Sequence, residues 1–200
     1  MDFKSALFID PGDEAQRLTE IVEQLRITPL AIINTHAHMD HIGAVAELKD
    51  HFGIPFYLHR NEKPVLDSAE SSYQMFGLQP RKAPEVDAWL EADQPLEIGP
   101  FSITCIATPG HTPGGVCLRI DDHVFTGDTL FRGSIGRTDL PGGNWSELET
   151  SLVHLFQHLN AEDHIHCGHG PDTSRELELS GNPFIRPLQH RIASTDSLPM

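Results

Sequence analysis

The sequence predicts a mixed α/β fold, and three observations predict it. Short apolar runs such as "PLAIIN" (29–34) have the length of a strand buried on both faces. Between them, Leu18, Ile21, Val22 and Leu25 recur at helical spacing. From Phe101 onward the apolar period changes to two, in "FSITCIAT" and "GVCLRIDDHVFTG". Strand-like and helix-like segments are interspersed along the chain, which is the order of a mixed α/β domain.

The opening "ALFID" reads as a strand closed by the turn "DPGD", and a helix follows from Asp13 to about Arg26 with acids in its first turn. After "PLAIIN" a helix is expected from about His41 to Phe52, with Ile42, Val45 and Leu48 on one side and Gly53 as its stop. "IPFYL" is a further strand, and a helix from about Glu62 to Phe76 follows it. Residues 77–95 are Pro-punctuated and mostly polar, as in a lid or surface excursion. "GVCLRIDDHVFTG" divides into two strands around Asp121–Asp122. "SELETSLVHLFQHL" is an amphipathic helix in which Ser146 and Glu149 fit a capping box. "HIHC" is a last short strand, and the weakly patterned remainder is expected to fray over 191–200. No repeat or linker divides the chain, so residues 1–190 are expected to form one domain.

Composition narrows the function classes. A formal charge of −15 repels phosphate backbones, which argues against a nucleic-acid partner. No run approaches the roughly eighteen apolar residues of a membrane helix, so no membrane partner is expected. The N-terminus lacks a basic segment followed by an apolar stretch, and Cys105, Cys117 and Cys167 form neither a CxxC nor an even framework. A cytoplasmic protein is the resulting expectation.

The chemistry concentrates in "NTHAHMDH" (34–41), directly after an apolar run. His36 and His38 point the same way in an extended chain, and Asp40 and His41 follow as the chain turns into a helix. Imidazole with carboxylate suits zinc, iron or manganese. Three more candidates occupy matching contexts: His111 in "TPGHTPGG", Asp128 in "FTGDTLF" and His169 in "HCGHGPDT" each follow an apolar segment and have glycine nearby. These seven side chains are candidate metal ligands at strand ends.

The set "HAHMDH", "PGHT", "GDTLF" and "GHG", in that order, resembles the metallo-β-lactamase fold superfamily. Within it, "GDTLFRGSIGRTDLPGG" and "CGHGPDT" look most like the small, single-domain glyoxalase II-like hydrolases, and the likeness runs from about Leu7 to Phe184. The resemblance implies a four-layer αββα sandwich with a binuclear site at one edge. It implies that His36, His38 and His111 hold one metal, that Asp40, His41 and His169 hold the other, and that Asp128 bridges them. Two divalent ions are implied, zinc first, with iron and manganese also suited.

Members of the family normally begin with a strand or two before the segment matching "ALFIDPGD", and few residues precede it here. Either the true start lies upstream or the first sheet lacks an outer strand, which leaves an edge open to pairing in a homodimer. The larger glyoxalase II enzymes also carry a C-terminal helical domain that grips glutathione; none is expected in a chain of this length, which loosens the expectation of strict glutathione specificity.

The activity this resemblance implies is thioester hydrolysis of the hydroxyacylglutathione type, on S-lactoylglutathione or a similar small molecule, by a metal-bridging hydroxide that Asp128 and Asp40 position. Arg132 and Arg137 are candidates for a substrate carboxylate, against the plainer reading of a loop arginine paired to Asp139. Arg81 and Lys82 read as solvated, Thr112 as a residue able to orient a ligand, and Cys167 as a core thiol. The remaining histidines, among them His59, His123, His154, His158, His164 and His166, lie outside the ligand set. The competing reading is a mononuclear-iron persulfide dioxygenase, which resembles these hydrolases and uses residues matching His36, His111 and Asp128. Lactone or other ester hydrolysis stays open, whereas a β-lactamase, a nuclease and a non-enzymatic scaffold are disfavoured.

Overall fold

A computed structural model describes residues 4–92 and 94–195. The described residues fall into two compact units, one within Met1–Glu91 and Leu96–Ser102, the other within Ala92–Pro95 and Ile103–Met200.

The first unit is built on a sheet of strands β1 (Lys4–Ile9), β2 (Ile27–Ile33), β3 (Phe56–His59) and β4 (Ala88–Leu90). They run in the order β1-β2-β3-β4, and every adjacent pair is parallel. A parallel sheet needs crossover helices, and α1 (Ala15–Leu25) and α3 (Val45–Phe52) provide them. Ile32, Phe56 and Leu58 of the strands pack with Ala15, Val45 and Leu48 of these helices in one continuous core. β1 is an outer strand of this sheet among the described residues. The short β5 (Leu96–Ile98) leads onward to β6 (Phe101–Ala107).

In the second unit β6, β7 (Val116–Ile120), β8 (His123–Gly127) and β11 (His164–Cys167) are ordered β11-β8-β7-β6. β6–β7 and β7–β8 are antiparallel, and β8–β11 is parallel. A two-stranded ribbon of β9 (Leu130–Phe131) and β10 (Ser134–Ile135) follows β8. Helix α6 (Trp145–His158) lays Leu148, Leu152, Leu155 and Phe156 against Ile106, Cys117, Val124 and Ile165 of the strands. α7 (Arg175–Gly181) and α8 (Gln189–Thr195) complete this unit.

The two strands expected around Asp121–Asp122 are β7 and β8, with Asp121 in the left-handed region at φ 54°. The helix expected over His41–Phe52 is instead two pieces, α2 (Met39–Ile42) and α3, separated at Gly43 and Ala44. The break lets the Pro11–Gly12 turn dock into it. Ala44 N–H donates to the Pro11 carbonyl at 3.0 Å, and a Cβ on Gly43 would stand 2.1 Å from the Gly12 carbonyl oxygen. The helix expected from Glu62 to Phe76 is likewise divided at Ser68 into α4 (Lys63–Asp67) and α5 (Ala69–Met75), with the Ser68 hydroxyl turned onto the Val65 carbonyl.

The 77–95 excursion contains β4, because Ala88–Leu90 completes the sheet edge beside β3. Ser146 does not cap α6. The helix begins one residue earlier, and the Asn144 side chain accepts from the N–H groups of Ser146 and Glu147. Over 191–195 the chain is helical where fraying was expected, since Ile192 is buried in the second core and Arg191 pairs with Glu149 at 2.9 Å. Residues 196–200 of that expected tail lie outside the described residues.

Candidate metal centre

In the first unit the four candidate ligands of "NTHAHMDH" leave the C-terminal end of β2 together. His36 and His41 are buried, His38 is half-buried and Asp40 is exposed at the start of α2. The ring of His36 lies 4.9 Å from that of His38 and 4.0 Å from that of His41. A six-residue stretch holds three imidazoles this closely only if its backbone is pinned.

The pins are polar residues that the sequence pattern did not single out. Asn34, fully buried, donates from Nδ2 to the His41 carbonyl at 2.8 Å and closes the loop across seven residues. Buried Glu62 accepts the Ala37 N–H at 2.8 Å. Asp10, at the end of β1, accepts from the Thr35 N–H at 2.7 Å and the Thr35 hydroxyl at 2.5 Å, and meets Nδ1 of His41 at 3.0 Å. Asp10, His36 and His41 offer ligand atoms within 4.8 Å of one another. With its oxygens engaged by Thr35 and the His41 ring, Asp10 stands as the carboxylate behind a candidate ligand. It fixes the His41 tautomer so that Nε2 remains for an ion. Asp10 could have been found by the argument used for Asp128, since it too is an acid directly after an apolar strand.

Next to Asp40 the first unit opens a cleft of about 320 Å³ lined by Met39, Tyr73, Leu78 and Arg81 among others. Two of these hold α2 by its backbone. The Tyr73 hydroxyl donates to the Met39 carbonyl at 3.0 Å, and Arg81 donates to the Gly43 carbonyl at 2.9 Å. Arg81 also pairs with Asp13 at 3.2 Å and lies 6.0 Å over the Tyr73 ring. Arg81 is exposed, as expected, and also braces the backbone beside α2. The Glu14 backbone N–H, aided by Arg81, draws the Asp13 carboxyl below its ordinary range, whereas burial raises the Tyr73 phenol above its own.

The second unit gathers the other three candidates. Asp128 follows β8, His169 follows β11 and His111 follows β6. One oxygen of Asp128, Oδ2, stands 3.5 Å from Nε2 of His111 and 3.6 Å from Nε2 of His169. Nδ1 of His111 faces the Arg137 carbonyl at 2.7 Å, which fixes the ring and aims Nε2 towards Asp128. Two glycines make room for Asp128, one for its side chain and one for its backbone. A Cβ on Gly168 would stand 2.4 Å from Asp128 Oδ1, and one on Gly136 would stand 1.8 Å from the Asp128 carbonyl oxygen. Buried Glu178 braces the adjoining loops by accepting from Gly133 N–H at 2.9 Å, the Thr173 hydroxyl at 2.5 Å and Asn182 Nδ2 at 2.7 Å.

The weaker candidates separate on contact. Arg137 is exposed and doubly bonded to Asp139 at 2.7 and 2.8 Å, which holds the Asp139 carboxyl down to about 2. Arg132 is exposed. Thr112 is buried. Cys167 packs against the second core, and burial pushes its thiol up to about 11. A thiol held in that state is no nucleophile at neutral pH.

In each unit, then, one candidate imidazole has Nδ1 engaged, His41 by Asp10 and His111 by the Arg137 carbonyl, and is left to present Nε2. That donor set fits a borderline divalent ion such as zinc or iron(II). Strands that present this donor set from their C-terminal ends are the arrangement of a metal-dependent enzyme of mixed α/β type. Residues 4–173 match the family model of the metallo-beta-lactamase superfamily, and the chain belongs to that superfamily. It is a metallo-hydrolase of this group, whose fold binds divalent metals.

Its relatives include the probable metallo-hydrolase YqgX of Bacillus subtilis, 42% identical over 90% of this chain and 86% of that protein. The hydroxyacylglutathione hydrolase GloC of Haemophilus influenzae is 37% identical over 92% and 89%. Among solved structures, the BLEG-1 B3 metallo-beta-lactamase superposes with a TM-score of 0.86 at 40% identity, over 92% of this chain and 90% of that one. TTHA1623 in a di-iron-bound form superposes with a TM-score of 0.81 at 41% identity, over 88% and 87%. Among the described residues no helix is long and apolar enough to cross a membrane.

Proposed function

We propose that this metallo-hydrolase cleaves small-molecule thioesters of the hydroxyacylglutathione type at a two-metal centre. The observation that carries the reading is that one Asp128 oxygen stands 3.5 Å from Nε2 of His111 and 3.6 Å from Nε2 of His169, within reach of a donor proposed for each ion. The GloC relative supports the substrate class, and the di-iron TTHA1623 supports a pair of ions. In this reading, as the resemblance implies, His36, His38 and His111 would hold one ion, Asp40, His41 and His169 would hold the second, and Asp128 would serve both. Zinc and iron(II) both suit the donors.

Bound there, the ions would lower the pKa of a water to about 7 and withdraw charge from the scissile carbonyl. The protein's own residues do the rest. Asp10 and the Arg137 carbonyl keep His41 and His111 in the tautomers that leave Nε2 for the metal. Asp40, exposed at the head of α2, would accept a hydrogen bond from the attacking water and so orient it. The cleft beside Asp40 takes the acyl group, with Leu78 and Met39 as its apolar wall. A cytoplasmic location and a homodimer formed along β1 accompany this reading as proposals.

A second reading has a specific observation behind it, namely the 40% identity to a protein described as a B3 metallo-beta-lactamase. The same water and carbonyl chemistry would open a lactam. One set of assays separates the possibilities. Metal-loaded protein is offered S-lactoylglutathione with thiol release as the readout, nitrocefin with ring opening, and glutathione persulfide with dioxygen uptake. Thiol release that disappears with a chelator and returns with zinc or iron supports the proposal. Fast nitrocefin turnover, or oxygen uptake with one iron and no thiol release, overturns it.

A further inference from the structure

Among the described residues that line the cleft beside Asp40, Arg81 is the one permanent cation. It is held on three sides. Nη1 spends both of its N–H groups, one on the Gly43 carbonyl at 2.9 Å and one on Asp13 at 3.2 Å, and the Tyr73 ring lies 6.0 Å from the guanidinium carbon. A guanidinium carries five N–H donors in a rigid plane. The other three, on Nε and Nη2, make no hydrogen bond among the described residues. Those two nitrogens form one edge of the fork, and that edge matches the two oxygens of a carboxylate.

Arg137 shows the same edge in use, since its Nε and Nη2 are both closed by Asp139. Asp13 does not close it on Arg81. That acid meets Nη1 alone, and its side chain is 72% exposed, so water screens the pair. Gly43, which anchors the guanidinium, caps α2 three residues after Asp40, about 4.5 Å along a helix axis. The charges of Arg81 and Asp40 both act on the Tyr73 phenol, which puts the two on one cleft. At about 320 Å³ this cleft reaches the range of roughly 300–1,000 Å³ that encloses whole small ligands, more than a three-carbon acyl group fills.

We infer that Arg81 determines specificity at this site by taking a carboxylate at the far end of the acyl group, so that the preferred substrates are half-thioesters of short dicarboxylic acids. The inference rests on the thioesterase reading and adds the acyl class to it. A short methylene spacer between the carboxylate and the scissile carbonyl spans the helical turn from Arg81 to Asp40. Met39 and Leu78 line the cleft along which that spacer lies. Because Gly43, Asp13 and the Tyr73 ring already hold the guanidinium, little further ordering is needed when the carboxylate arrives.

The test compares S-glutarylglutathione with S-pentanoylglutathione as substrates of the metal-loaded protein. The two differ only by a carboxylate or a methyl at the end of a five-carbon acyl chain, and the glutathione half cancels in the ratio of their kcat/KM values. Wild type is expected to favour the glutaryl compound about tenfold or more, chiefly through KM, and Arg81→Met to bring the ratio near one. An arginine that only braces α2 would lower both substrates alike and leave the ratio as it was. Binding is read separately on zinc-loaded protein with nitrogen-15-labelled arginine, where the Arg81 Nε resonance should shift with glutaramate and stay still with pentanamide. A wild type without preference, a ratio that Arg81→Met leaves unchanged, or a resonance that ignores glutaramate overturns the inference. If neither thioester is cleaved while the resonance still shifts, the thioesterase reading fails and the carboxylate site on Arg81 stands.

Discussion

Nδ1 of His41 stands 3.0 Å from Asp10 Oδ2, and the same carboxylate takes both the N–H and the hydroxyl of Thr35. One acid at the end of β1 thereby orients a ligand ring and fixes the backbone just before His36. Asp10→Asn keeps the size of the side chain but turns an acceptor into a donor on one side. Metal content after dialysis against a weak chelator should fall, with affinity reduced about 10–100-fold. Retained stoichiometry with full activity would show that His41 does not depend on Asp10.

Gly168 tests the second unit in the same way. A methyl group there would stand 2.4 Å from Asp128 Oδ1 and 2.9 Å from the Gly127 backbone, so the carboxylate must move. Displacing a catalytic group by about an ångström costs on the order of a hundredfold in rate. Gly168→Ala should therefore lose activity by that order while its melting temperature falls only modestly. Gly170→Ala is the control, because a Cβ there meets nothing within 4 Å, although its φ of +81° makes some strain unavoidable.

The start of α6 gives a prediction that depends on a two-residue difference in the cap position, Asn144 rather than Ser146. Asn144→Ala removes the acceptor for two helix N–H groups and should cost about 1 kcal/mol. Ser146→Ala should change stability by no more than a few tenths, which chemical denaturation resolves. Equal losses at both positions would restore the capping box read from the sequence.

The parts legible in the sequence are those that repeat a local pattern. The apolar period over 101–107 and 116–127, and the spacing of Leu18 and Val22, reflect elements facing a core, whereas Ile21 and Leu25 of the same helical series stay exposed. The seven candidate ligands were legible because each sits where an apolar run stops. What stayed hidden depends on contacts distant in sequence. Nothing local announces that Gly43 must pack on Gly12 and so interrupt a helix, or that Ala88–Leu90 completes a sheet begun eighty residues earlier. Asn34, Glu62 and Glu178 look like ordinary polar residues until burial makes their hydrogen bonds obligatory.

Arg119 and Asp163 supply the pH dependence of the second unit. The guanidinium donates to both carboxylate oxygens, at 2.8 and 2.5 Å, and also to the His158 carbonyl at the end of α6. Burial alone would raise the Asp163 carboxyl, but Arg119 and the Asn160 N–H outweigh it and hold the group below its ordinary value. A carboxyl depressed in the native state stabilises the fold above its unfolded value of about 3.9, and that contribution fades as pH falls through the native one. Asp163→Asn should therefore cost about 3–5 kcal/mol at pH 7, because it strands a largely buried guanidinium. The difference in melting temperature between variant and wild type should narrow on acidification below about pH 4. A gap that stays constant from pH 7 down to pH 3 would mean that the ion pair adds nothing beyond its hydrogen bonds.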